Sequence, residues 1–192
     1  MLIASYIVLA LVFGISDMLL FRRCAEVTPI RLSYGLLLSL ATMIVQAGIF
    51  LIGMLLGDLL RFELPDNPDA FNKANALIFL GLCIIVMLRM LKPYLKRSMK
   101  LPLFNLGSTA ACAALILTSS INLLLVGLGA GFVTSPATDF HKALWPMVVL
   151  LPLLSYWGIM LGRQKVDMRP RRWMVVASIL LLGVAIAATV NA

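Results

Sequence analysis

The chain has 192 residues, 62% of them hydrophobic and only 12% charged, with a mean hydropathy of +1.04. A water-soluble domain carries roughly 45–50% apolar and about 25% charged residues, so disorder, a disulfide scaffold and an ordinary cytosolic enzyme are excluded. The net charge of +8 does not point to nucleic acid either, because the basic residues occupy short gaps between apolar segments, where they bear on membrane orientation and anionic headgroups.

A membrane-crossing helix needs about 20 apolar residues, which allows six spans with short loops. Six apolar segments are found, at about 2–21, 34–60, 73–92, 106–133, 143–162 and 173–191. The first begins apolar with no basic region and no small-x-small cleavage site, and reads as a retained span. The second and fourth are longer than a crossing requires, which predicts tilt, a kink or a broken stretch there. The three cysteines, Cys24, Cys83 and Cys112, are odd in number and lack metal-knuckle spacing.

Charge sets the orientation. Thirteen of the sixteen basic residues fall in the first, third and fifth gaps, led by Arg22, Arg23 and Arg31, by Arg89, Lys92, Lys96, Arg97 and Lys100, and by Arg163, Lys165, Arg169, Arg171 and Arg172. The second gap instead holds Asp58, Glu63, Asp66 and Asp69. The positive-inside rule puts the basic gaps in the cytoplasm and both termini outside, which an even number of spans permits.

The two halves resemble each other. Gly53-Met-Leu-Leu-Gly57 has a counterpart in Gly158-Ile-Met-Leu-Gly162, with Asp17 lying 36 residues before the first and Asn122 lying 36 before the second. Gly81 and Gly183 sit mid-segment in the third span of each half. Three-span halves insert in opposite senses, so the expected architecture is an all-α polytopic membrane protein with a 3+3 inverted repeat: residues 1–95, a basic linker at 96–105, and residues 106–192.

Asp17 is the sole charged residue deep in an apolar segment. A carboxylate there costs at least ~2.5–3.5 kcal/mol, so it should face the interior and have a partner. It reads either as a cation or proton site or as a structural carboxyl bonded to Ser or Asn on another helix. Thr118, Ser119, Ser120 and Asn122 crowd one stretch of the fourth segment and read as cavity lining or as interhelical hydrogen bonds. Oxygen donors of these kinds suit a hard divalent cation. Ser39, Thr42 and Gln46 share a helix face, which serves either an ion path or bundle packing.

Three other patterns carry less. The Gly-x-x-x-Gly pairs point to close helix approach. Gly127-Leu-Gly129-Ala-Gly131 follows no strand and reads as packing, not as a nucleotide loop. Ser16 and His141 cannot form a nucleophile–base pair when one is deep in a span and the other in an outer gap, so no enzyme is expected.

Together these segments resemble the MntP-type (YebN-like) manganese efflux pumps of the LysE transporter superfamily. The likeness runs over nearly the whole chain, through Phe13-Gly14-Ile15-Ser16-Asp17, Ile78-Phe79-Leu80-Gly81, Ala114 to Phe132 with Thr118-Ser119 and Val126-Gly127-Leu128-Gly129, Gly158-Ile-Met-Leu-Gly162-Arg163 and Leu181-Leu182-Gly183. It implies export of Mn²⁺ or another divalent cation across a bacterial inner membrane by alternating access, with no bound cofactor. Expected partners are the lipid bilayer and the cation, without nucleic acid, a homodimer being compatible. The implied site is Asp17 facing Asn122, with Ser16, Ser119 and Ser120 adding oxygens and Thr42 and Gln46 lining the approach. Three departures stand out: the family has an aspartate where this chain has Asn122, a glutamate where it has Thr42, and often an acidic middle loop where residues 92–100 are basic. Export of another small cation or solute, or a non-transporting membrane subunit, are the alternatives.

Overall fold

The computed structural model describes residues 3–28, 30–61, 68–95, 104–166 and 168–190. They form six helices and no strand among the described residues: α1 (Ile3–Val27), α2 (Leu32–Leu59), α3 (Pro68–Leu95), α4 (Thr109–Val133), α5 (Pro136–Arg163) and α6 (Pro170–Val190). Each is long and apolar enough to cross a membrane. Helix is the form these segments must take in lipid, where every backbone N–H and C=O has to be satisfied within the segment. Glu63 and Asp66 of the acidic gap, and Lys96, Arg97 and Lys100 of the basic linker, lie outside the described residues.

The helix ends differ from the apolar limits for local reasons. Helix α1 runs on through Arg22 and Arg23, because a helix does not stop where its hydrophobicity does. Prolines open α3, α5 and α6, where a missing N–H costs nothing and the fixed φ suits the first turn. Neither long segment is broken: α2 is a continuous 28-residue helix and α4 a continuous 25-residue helix. The extra length of the fourth segment is instead shed before α4, where Leu106 and Gly107 form a turn and Ser108 stands at the N-cap.

Extensive helix–helix contacts close into a ring in the order α1, α5, α2, α4, α3, α6 and back to α1. The tightest pairs are α1 with α5 and α2 with α4, and α1 and α4 stand on opposite sides of the ring. Glycine explains both tight pairs. A Cβ on Gly158 would collide with the Met18 backbone and one on Gly162 with the Arg22 carbonyl, so α5 lies directly on the α1 main chain. A Cβ on Gly57 would likewise meet the Leu128 carbonyl, and one on Gly131 the Met54 carbonyl. Lipid tails are as apolar as leucine, so such association rests on van der Waals packing, which small residues maximise.

The resulting bundle is apolar outside and carries polar groups within. On α2, Leu37, Ile44, Leu55 and Leu59 are exposed, whereas Ser39, Thr42 and Gln46 are fully buried. Exposed Trp145 and Trp173 stand towards opposite ends, as amphipathic rings do at membrane interfaces. This is the surface of a multi-pass membrane protein.

Candidate functional site

Asp17 lies slightly past the middle of α1, the helix most enclosed by the others, and its side chain is buried. The buried stripe on α2 turns Gln46, at the midpoint of that helix, towards it, and α4 brings Ser119 from across the ring. The Gln46 amide and the Ser119 hydroxyl are polar neighbours of the Asp17 carboxyl. Gln46 Nε2 also donates to Ser119 Oγ at 2.8 Å, so the three side chains form one cluster drawn from three helices.

The remaining residues take distinct places. Asn122 stands one turn beyond Ser119 on α4, half-buried, and no hydrogen bond joins it to Asp17. The polar neighbours of Asp17 are therefore Gln46 and Ser119, with Asn122 one turn further along α4. Thr42 is fully buried one turn before Gln46, and its hydroxyl donates to the Leu38 carbonyl at 2.8 Å. Ser120 is buried but bonded to the Ile116 carbonyl at 2.7 Å. Ser16 is half-buried and points about 100° around α1 from Asp17, as successive helical residues do. Thr118 is exposed and bonds back to Ala114, so only part of the α4 polar run faces inward.

Hydrogen-bond accounting gives the cluster its character. Asp17 Oδ2, Gln46 Oε1 and Asn122 Oδ1 are all buried without a partner. Ser119 has one hydroxyl proton, and it donates to the Ile116 carbonyl at 3.0 Å. Acceptors therefore outnumber donors. A buried acceptor without a donor costs about 1–3 kcal/mol, so these three oxygens leave the cluster short of hydrogen-bond donors. Among the described residues no three of His, Cys, Asp and Glu gather in one place, so the donor set is one carboxylate with amide and hydroxyl oxygens. Hard cations bind such oxygens, and soft metals prefer thiolate or imidazole.

The end of the bundle away from Arg22 is closed by a polar lock that the sequence reading missed. Tyr6 is fully buried, about 16 Å from Asp17 along α1 at 1.5 Å per residue. Its hydroxyl lies 3.1 Å from Thr134 Oγ1 and donates to Asp139 Oδ2 at 3.2 Å. Lys142 Nζ completes the group 2.7 Å from Asp139 Oδ1. The available signal was the tyrosine itself, since a phenol inside an apolar helix requires a partner. Below Tyr6, buried Leu9, Val12 and Phe13 separate this lock from Asp17. His141 is exposed near this end, while Ser16 lies deep in α1, so the two do not form a catalytic pair. Comparison of the chain with family models, curated proteins and solved structures gave no match.

Proposed function

We propose that the protein is a transporter of small cations, of the kind the manganese efflux pumps represent, and that Asp17, Gln46, Ser119 and Asn122 hold the cargo. The observation that carries this reading is the trio of buried, donor-less oxygens on Asp17, Gln46 and Asn122, contributed by three different helices. A desolvated cation supplies the positive charge these atoms lack. Thr42 lies one turn from Gln46 on the same buried face and lines the approach.

Two further observations support transport. Exchanging α1 with α4, α2 with α5 and α3 with α6 maps the ring of helix contacts onto itself, tight pairs onto tight pairs. That is what a 3+3 inverted repeat requires, and in such folds the cargo site lies between halves that rock against each other. The Tyr6–Thr134–Asp139 lock also closes one end, while a cavity opens between helix ends at the other. Alternating access would break that lock and build its equivalent opposite, where Tyr34 Oη already lies 3.8 Å from Cys112 Sγ. In this scheme Asp17 takes up a proton as the cation leaves. The protein sits in a bacterial inner membrane with its basic loops in the cytoplasm and both termini outside.

The single carboxylate favours a second reading, export of a monovalent cation, because one negative charge balances one positive charge. Thermal unfolding of the purified protein separates the two. Stabilisation by Mn²⁺ that disappears in Asp17→Asn is expected for the manganese pump, and the same substitution in cells should raise their manganese content. Stabilisation by Na⁺ or K⁺ alone selects the monovalent reading. If no cation gives a shift that depends on Asp17, the transport site is wrong.

A further inference from the structure

Helix α5 contributes nothing to the Asp17 cluster described above, yet it buries a polar group of its own. Ser155 is fully buried, and among the described residues its Oγ is the single buried hydroxyl without a hydrogen bond. A serine or threonine inside a helix commonly donates to the carbonyl three or four residues back, as Ser39, Thr42, Ser120 and Ser178 do here. Ser155 makes no such bond, so its proton and its lone pairs are uncommitted.

Packing contacts fix where this hydroxyl stands. Helices α1 and α5 lie side by side in one constant register, in which Gly14 meets Leu154, Gly158 meets Met18 and Gly162 meets Arg22. Asp17 is thereby level with Trp157, and Ser155 lies ~3 Å from that level at 1.5 Å per residue. Around α5, Gly158 faces α1 and Ile159 faces Gly35 of α2. At about 100° per residue, Ser155 falls between those two directions. The opposite side, with Leu153 and Trp157, is exposed. Ser155 therefore points inward between α1 and α2, near the depth of Asp17.

We infer that Ser155 Oγ is a further ligand of the transported cation, supplied by α5. The inference rests on the cargo site proposed above. A hydroxyl gives a hard cation one more oxygen without adding charge, which suits a cluster with a single carboxylate. Its place in the fold also fits. The tightest helix pairs are α1 with α5 and α2 with α4. Asp17 and Ser155 ride on the first pair, and Gln46, Ser119 and Asn122 on the second. The cation is then held between two glycine-packed units, and their separation divides its ligands. Exchange of the halves also sets α5 in the place of α2, so the two helices that correspond each turn a polar side chain inward.

The test is thermal unfolding of the full-length protein in detergent, titrated separately with MnCl₂, NaCl and KCl. Ser155→Ala should weaken the Asp17-dependent binding about tenfold, ~1.4 kcal/mol. It should also raise the melting temperature without cation, because a buried hydroxyl lacking a partner is removed. Ser155→Cys is close in size and exchanges a hard donor for a soft one. Its response to Mn²⁺ or Na⁺ should fall, and its response to Cd²⁺ should exceed that of the natural protein. Cys24, Cys83 and Cys112 are common to both proteins, so the difference reports position 155. An Asp17-dependent response that is unchanged in Ser155→Ala overturns Ser155 as a ligand and leaves the cargo site standing. Weaker binding in Ser155→Ala with no gain of Cd²⁺ in Ser155→Cys overturns direct contact as well. If no cation gives an Asp17-dependent response, the cargo site and this ligand fall together.

Discussion

Helices α1 and α4 face each other across the ring and are held in the same way, yet they carry different chemistry. Each lies under a Gly-x-x-x-Gly pair, α1 against Gly158 and Gly162, and α4 against Gly53 and Gly57. Each also presents a polar residue just before the backbone that its glycine pair touches, one position before Met18 on α1 and two before Leu124 on α4. On α1 that residue is the carboxylate of Asp17, and on α4 it is the amide of Asn122. The scaffold is thus balanced while the charge is not. Helix packing constrains backbone approach and is indifferent to whether a neighbouring side chain is ionised, so the two properties are free to diverge.

The largest expected effect breaks this comparison at its charged side. Asp17→Asn leaves the packing intact and removes the sole ionisable oxygen of the cluster. All Asp17-dependent cation stabilisation should vanish, whereas Asn122→Leu should weaken it without abolishing it. Equal loss in both variants, measured by thermal unfolding across a cation series, would show that the two helices contribute alike.

Next in size is the scaffold they share. Gly158→Leu and Gly57→Leu each force a side chain into the backbone of the facing helix. Overpacking typically costs about 1–3 kcal/mol, and both substitutions should reach the upper part of that range because backbone cannot step aside. Comparable losses on unfolding in mixed micelles would establish that the two crossings are equivalent. A loss at only one would reveal a scaffold as uneven as its charge.

Asn122→Asp attempts to equalise the chemistry. Two unit charges 4 Å apart interact by about 4 kcal/mol at an effective dielectric of 20, but much of such a gain is lost to desolvation. An increase of about tenfold in divalent-cation affinity is therefore expected, ~1.4 kcal/mol, with no gain for a monovalent ion. Calorimetric titration of the variant with Mn²⁺ and with Na⁺ measures both.

How much of this was legible in advance depended on the physical signal. Six apolar stretches and the anomaly of Asp17 are properties of composition, and composition survives any arrangement of the helices. The inward turn of Ser119 and the outward turn of its neighbour Thr118 are not, because three consecutive polar residues cannot all face one way and only the ring decides which does. The bond from Gln46 to Ser119 is not legible either, since no local pattern reports that α2 and α4 meet. The Tyr6–Asp139 lock joins residues 133 positions apart in the chain and was hidden for the same reason.

The smallest effect comes from glycines that look equivalent in the sequence and differ in space. Gly81 of α3 and Gly183 of α6 occupy matching places in their halves, but a Cβ at either would meet nothing within 4 Å. No helix crossing depends on them, and α3 and α6 reach their neighbours through larger side chains such as Phe79 and Leu181. Alanine at each should therefore stabilise the helix by about 0.5–1 kcal/mol, the ordinary propensity difference, with no change in cation response. The opposite sign at Gly57 and Gly158 would separate glycines needed for contact from glycines that merely recur. Destabilisation at Gly81 or Gly183 would instead mean that these faces are covered, by a second copy of the chain or by another protein in the membrane.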